Sequence, residues 1–415
     1  MIRFSTRRSF LNQASLIALS PTIPQFLCNS VMGSELHGGK VLVVIQLDGG
    51  NDGINTIVPY TDEGYAKYRP KLHIPTDKLI KISDSVALHP SLRPAADLLE
   101  AGQLAIVQGV GYPNPNRSHV VSNSIWQTAR LDSTEHKSYG WLGRATDEQA
   151  VAADRSPHAI HFGDEATPNA LRSRRSTVVS LAHLKDLELA EDSPRFQETD
   201  RESATTNDLL AFARRASSDA LTTSHMIAEL KSKYAEDSTS YPTTTLASRL
   251  KSIAMLIKSG FSTSVYYAIQ SGYDTHANQL PTHSRLLSEL AGALKAFQQD
   301  LKSAGLDDRV LTICFSEFGR RVQEDSSLGT DHGTAGPIFL SGSSVQPGLV
   351  GEAPSLTDLI DGDLKMQFDF RRVYASVLKY WLDVSPQKNL ADAFDPMPLI
   401  ASRHDVKVST RWKSE

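Results

Sequence analysis

Two short apolar runs on either side of one long amphipathic stretch do most to limit how this chain can fold. Val265 to Ile269 (VYYAI) and Val310 to Phe315 (VLTICF) are unbroken and rich in β-branched and aromatic residues. Such runs belong to strands buried on both faces. Between them Leu286, Leu287, Leu290, Leu294, Phe297 and Leu301 recur at helical spacing, which predicts one long helix over His283 to Ala304 with a single apolar stripe. Strand, helix, strand is a βαβ unit, and its crossover sets the two strands parallel. Val41 to Leu47 (VLVVIQL) and Leu104 to Val110 (LAIVQGV) read as two more buried strands. The second follows a helical stretch, Ser91 to Glu100, with Leu92, Leu98 and Leu99 suited to one face. The expected fold class is α/β, a mostly parallel central sheet flanked by helices.

The first 34 residues stand outside this pattern. Arg3, Arg7 and Arg8 precede an apolar stretch from Leu16 to Leu27 that Pro21 and Pro24 interrupt, the order of a removable export segment. Thr6-Arg7-Arg8-Ser9-Phe10-Leu11 matches the twin-arginine signal, read by a translocase that carries folded cargo. The expectation is export to the periplasm or cell surface, with that translocase as the partner during transit. A bilayer span needs about 20 apolar residues; neither this stretch nor any other reaches that length, so no membrane span is expected in the mature chain. Cys28 follows Phe26-Leu27 without the small residues of a lipidated cysteine.

Removing the signal leaves about 380 residues, enough for one large domain or two ordinary ones. Hydrophobic content of 40% and charged content of 22% are those of a globular protein. A net charge of −4 argues against a nucleic-acid partner, which calls for a basic surface. Only Cys28 and Cys314 are present, and Cys314, inside an apolar run, reads as a buried small hydrophobe. Residues 150–245 are polar, with a helical stretch near Asp208 to Tyr234 and no strong buried strand. Leu209, Leu210, Phe212, Leu221 and Met226 give that segment something to bury, so it reads as an insertion or cap on a domain spanning 35–405, before a tail at 406–415.

Ligands of open α/β sheets collect at the carboxyl ends of strands, and four polar clusters follow the expected strands. Asp48 ends the first and enters Gly49-Gly50-Asn51-Asp52-Gly53; it suits a metal ligand or a turn-forming aspartate equally. Asn116-Arg117-Ser118-His119 follows the second, where Ser118 suits a nucleophile beside His119 and an anion-holding Arg117, or simply the N-cap of a helix. Asp274-Thr275-His276 follows the third, with His283 seven residues on, a zinc-type half-site. Ser316-Glu317-Phe318-Gly319-Arg320-Arg321 follows the fourth, then Asp331-His332. Glu317 is a candidate ligand there, and the arginines suit either an oxyanion or surface ion pairs.

These stretches together resemble the bacterial domain of unknown function 1501 family over nearly the whole mature chain. The landmarks are LVVIQLDGGNDGINTIVPY, HPSL, PNPNRSH with WQTA, GWLGR, YDTHANQ, FSEFGRR and TDHGTAGPIFLSG. The family in turn resembles the alkaline phosphatase and sulfatase superfamily. That resemblance implies an alkaline-phosphatase-like sheet with a metal site at its carboxyl edge. It implies metal roles for Asp48, Asp274 with His276 or His283, Glu317 and His332, and a nucleophilic role for Ser118, which precedes Thr128-Ala129. Two departures stand out: Phe318 occupies a common ligand position, and Glu317 is one methylene longer than the usual aspartate. No Cys-x-Pro-x-Arg sequence is present, so a formylglycine sulfatase is not expected. The function expected is metal-dependent hydrolysis of a phosphate or sulfate ester, small or polymeric. Zinc is the preferred ion, with calcium or magnesium as alternatives, and Arg117 or Arg320 steadies the anion. The rival is a non-catalytic exported protein that binds a ligand or organises a surface assembly on the same scaffold.

Overall fold

The structure, a computed structural model, describes residues 39–132, 139–149, 157–176, 178–184, 239–390 and 392–401. A nine-stranded sheet organises them. In chain order its strands are β1 (Val41–Asp48), β2 (Leu104–Gly111), β3 (Ala159–Phe162), β4 (Val178–Leu181), β5 (Val265–Ser271), β6 (Val310–Phe315), β7 (Gly336–Ser341), β8 (Gly348–Val350) and β9 (Phe368–Asp369). Across the sheet they run β8, β2, β7, β6, β1, β5, β3, β4, and β9 also pairs with β2. Every pairing is parallel except those of β7, which is antiparallel to β2 and to β6. The mostly parallel sheet expected from the sequence is the one observed.

β1 lies between β5 and β6 with Leu42 opposite Val265 and Leu311. Its side chains alternate between two cores. Val41, Val43, Ile45 and Leu47 enter one, Leu42 and Val44 the other, which is why the run carries no polar alternation. Six helices cover the faces: α1 (Arg93–Glu100), α2 (His119–Thr128), α3 (Trp141–Gln149), α4 (Thr245–Lys258), α5 (Gln279–Ser303) and α6 (Phe370–Ser376). Leu98 of α1, Leu250 of α4 and Leu290 of α5 pack into the first core. Trp126 of α2, Trp141 of α3 and Tyr374 of α6 pack into the second. Each fully buried leucine contributes roughly 1.5–3 kcal/mol of transfer free energy, so the α5 stripe alone anchors that face.

Three details differ from the sequence reading. α5 begins four residues before His283, at Gln279, because Pro281 falls in the first turn, where its missing N–H is no loss. The 150–245 stretch does contribute buried strands. All four residues of β3 are buried, and β3 joins β5 and β4 in the sheet. Strands of four residues carrying His161 or Ser180 give too little pattern to read. The expected helix near Asp208 to Tyr234 lies outside the described residues. No helix among the described residues is long and apolar enough to cross a membrane.

Candidate functional site

The carboxyl edge of the parallel strands carries all four polar clusters, and the turn after β1 explains how they meet. Gly49 and Gly50 have φ of +118° and +80°, a region costly for residues with a Cβ. A Cβ on Gly49 would lie 2.4 Å from the Asp274 backbone nitrogen, so only glycine lets the β1 turn approach the loop after β5. Gly49 N donates to Glu317 Oε1 at 2.9 Å, and Asn51 N donates to Ser316 Oγ at 2.9 Å. The β1 and β6 ends are thereby joined.

Arg320 ties in the remaining loops. Its side chain is buried, with Nε donating to Gly50 O at 2.7 Å and Nη1 to Thr330 O at 2.7 Å. Nη2 donates to Gly49 O, to Tyr273 O at 2.9 Å and to Asp274 Oδ1 at 2.7 Å. The guanidinium thus faces main-chain carbonyls and one carboxylate, a staple beneath the site.

Two imidazoles meet at that carboxylate. His276 Nε2 lies 2.9 Å from Asp274 Oδ1, His332 Nε2 lies 3.0 Å from the same oxygen, and the two Nε2 atoms are 2.9 Å apart. The opposite ring nitrogens are held. His332 Nδ1 donates to the Arg117 carbonyl at 2.7 Å, and His276 Nδ1 faces Asp331 Oδ1 at 3.3 Å. A carbonyl and a carboxylate only accept, so the Nδ1 atoms carry the protons and the Nε2 lone pairs face each other and the carboxylate. Arg320 already donates to Asp274 Oδ1, and its Nη1 stands 3.5 Å from His276 Nε2; a proton or a metal ion among the three acceptors would satisfy the rest. Partial burial pushes the Asp274 carboxyl up, but the hydrogen-bonded Arg320 guanidinium and the neighbouring His332 together hold it well below the usual carboxylate range.

His119, at the start of α2, completes this side. Its Nδ1 lies 2.8 Å from Glu317 Oε1, and its Nε2 faces Asp274 Oδ2 at 3.4 Å without a hydrogen bond. The hydrogen bond to Glu317 raises its pKa. Phe318 stacks on His332 with ring centroids 4.7 Å apart and stands 5.0 Å from the His119 ring. The loop leading to α2 is fixed by Tyr112, whose hydroxyl accepts from Asn116 N at 2.9 Å and pairs with Ser122 Oγ at 2.9 Å. Ser122 Oγ donates to the Glu317 carbonyl at 2.6 Å.

The sequence candidates therefore divide. His119, Asp274, His276 and His332 are brought together, with Arg320 bonded to Asp274. Glu317, fully buried, reaches the group through His119. Asp48 accepts from Gln46 Nε2 and Asn123 Nδ2, both at 3.3 Å, and is raised by burial and by the neighbouring Glu317. Ser118 is the N-cap of α2, yet its side chain makes no capping bond and the residue is exposed. Arg117 offers its carbonyl to His332 while its guanidinium pairs with the buried Asp363. His283 is not brought to the group. It is buried beside Asn51, its Nε2 3.0 Å from Asn51 Oδ1, where burial pushes it down to about 3. Asp331, the partner of His276, was not singled out in the sequence; its place beside His332 was the available signal. Sequence reading also missed a buried network of Asp52, Arg69 and Gln279 under the β1 turn.

The profile of a family described as protein of unknown function, DUF1501, matches residues 39–378. No curated protein matches the sequence. Among solved structures, the PsFucS1 sulfatase from Pseudoalteromonas sp. is similar at 12% identity and a TM-score of 0.41, covering 92% of this chain and 77% of that one. The lipoteichoic acid synthase LtaP from Listeria monocytogenes is similar at 9% identity and a TM-score of 0.37, covering 86% and 79%. A protein in the alkaline phosphatase superfamily from Vibrio parahaemolyticus is similar at 11% identity and a TM-score of 0.33, covering 84% and 72%. Likeness at that level says nothing of activity, and the chemistry has to come from the side chains.

Proposed function

The chain belongs to the DUF1501 family of proteins of unknown function, and we propose that it is an exported metal-dependent hydrolase of phosphate or sulfate esters. One observation carries the reading: Asp274 Oδ1 and the Nε2 atoms of His276 and His332 lie 2.9–3.0 Å from one another, with both Nδ1 atoms turned to acceptors. Imidazole and carboxylate donors suit zinc better than calcium or magnesium, which prefer all-oxygen sets. A divalent ion bound there would polarise the ester and lower the pKa of an attacking hydroxyl.

Ser118 supplies the hydroxyl in this proposal. Its flanking residues, Arg117 through its carbonyl and His119 through its ring, both touch the group, and its own side chain is not used in capping α2. The N-terminus of α2 favours an anionic, tetrahedral ester group. Asn116 Oδ1 accepts from Ser118 N at 2.8 Å and so fixes the main chain that presents the hydroxyl. Arg320 positions Asp274 in this scheme, and Arg117 steadies the incoming anion. The twin-arginine pattern at Arg7-Arg8 supports export, and a translocase for folded cargo allows metal loading before transit. Residues 35–405 would form one domain.

The test uses the mature protein. Metal is measured by elemental analysis, and turnover with 4-nitrophenyl phosphate and 4-nitrophenyl sulfate. Hydrolysis of one ester should vanish on chelation and fall at least roughly 10³-fold in Ser118→Ala, while the variant keeps its metal. A metal-loaded protein that turns over neither ester would favour the rival reading, a binding protein, to which the Phe318 ring against His332 lends some weight. Undiminished turnover in Ser118→Ala would remove the nucleophile assignment.

A further inference from the structure

The three histidines around Asp274 share one arrangement. Each turns its Nδ1 to an acceptor: His119 to Glu317 Oε1 at 2.8 Å, His276 to Asp331 Oδ1 at 3.3 Å, His332 to the Arg117 carbonyl at 2.7 Å. Each turns its Nε2 to the Asp274 carboxylate, at 3.4, 2.9 and 3.0 Å respectively. His119 Nε2 is buried without a hydrogen-bond partner, so nothing in the protein uses its lone pair.

Resting on the metal reading above, we propose that His119 is a direct ligand of the ion, in a centre built from His119, Asp274, His276 and His332. Glu317 then orients His119 and does not itself bind the ion. The geometry suits this division. In a tetrahedral zinc site with bonds of about 2.0–2.2 Å, neighbouring donor atoms lie roughly 3.3 Å apart; Asp274 lies 2.9–3.4 Å from the three Nε2 atoms, and His119, Asp274 and His332 offer ligand atoms within 4.8 Å of one another, so the His119 ring would draw in toward His276 on binding. Glu317 Oε1 already serves Gly49 N at 2.9 Å and His119 Nδ1 at 2.8 Å. A carboxylate holding the far nitrogen of a ligating histidine fixes its tautomer and increases its basicity. Asp48, whose Oδ1 accepts from two side-chain amides, stays outside the ligand set as well. Among the described residues this centre would then hold one ion. Because Ser118 precedes His119, binding of His119 would also fix the proposed nucleophile next to the ion.

The ligand count can be read without any turnover. X-ray absorption at the zinc edge on the full mature protein should report one zinc per chain with three imidazoles in its first shell. His119→Ala should show two imidazoles and weaker zinc binding by chelator competition. Glu317→Gln should keep all three imidazoles and bind zinc roughly 10- to 100-fold more weakly. Two imidazoles in the unaltered protein, a spectrum unchanged in His119→Ala, or a first-shell oxygen lost in Glu317→Gln would overturn the assignment while leaving the metal site standing. A second zinc per chain held at Asp48 and Glu317 would overturn it too. A protein that takes up no metal would refute both this inference and the reading on which it rests.

Discussion

Replacing Arg320 by lysine separates two roles that the sequence left open, an anion clamp and a structural staple. The guanidinium reaches Gly50 O and Thr330 O at 2.7 Å, Tyr273 O at 2.9 Å, and Gly49 O. Tyr273 O has a second donor in Thr275 N at 2.8 Å. Gly49, Gly50 and Thr330 are buried, and Arg320 is the side chain that serves their carbonyls. A lysine places its donors on one nitrogen and cannot reach the carbonyls of Gly49, Gly50 and Thr330 together, so two of them lose their partner. At about 1–3 kcal/mol for each buried group left unpaired, Arg320→Lys should destabilise the protein by about 2–6 kcal/mol. With an unfolding entropy of about 2.1 cal/mol/K per residue, a chain of this size loses roughly 1 °C of Tm per kcal/mol, a fall of roughly 2–7 °C. Thermal unfolding followed by circular dichroism, with chelator in both samples so that ion binding does not contribute, measures it. A Tm within about 2 °C of the unaltered protein, with KM for an ester raised severalfold, would refute the reasoning and return Arg320 to the role of anion clamp.

Two further outcomes follow from the same region. Burial pushes His283 down to about 3 and His89 to about 4, so between pH 4 and 6.5 the unfolded chain binds more protons than the folded one. The stability these groups permit is full above about pH 6.5 and falls on acidification by about 1.4 kcal/mol per pH unit for each histidine. Urea midpoints at pH 7 and pH 5 should show it, with a shallower fall in His283→Gln; equal midpoints would contradict it. Gly49→Ala should be destabilised by more than about 2 kcal/mol and should weaken zinc binding, because its Cβ would meet main-chain Asp274 N at 2.4 Å and Tyr273 C at 2.9 Å. Near-normal melting together with near-normal zinc titration would show that the turn can relax.

Strands buried on both faces announce themselves, and β1, β2, β5 and β6 were legible because each side chain had to be apolar. β3 and β4 were not, since four residues interrupted by His161 or Ser180 satisfy the sheet without leaving a pattern. The reversed direction of β7 has no local signature either; it follows from where its neighbours lie. For the site, the carboxyl-edge rule placed Asp274, His276 and His332 correctly beside one another. It could not separate His283 from them, because His283 lies inside α5, where its side chain is carried into the Asn51 network. Nor could it divide Glu317 from His119. Glu317 turns to Gly49 N and to His119 Nδ1, and both partners come from segments distant in the sequence. Arg320 read as a surface or oxyanion-binding residue because nothing in FGRR shows that the carbonyls of three loops converge on it.

The central claim is that a cation sits among Asp274, His276 and His332 at the sheet edge. Crystals of the mature protein grown with zinc, with diffraction collected on both sides of the zinc absorption edge, would locate the ion directly. One anomalous peak is expected within about 2.0–2.2 Å of Asp274 and of the Nε2 atoms of His276 and His332. An absent peak there, or the principal peak between Asp48 and Glu317, would contradict it.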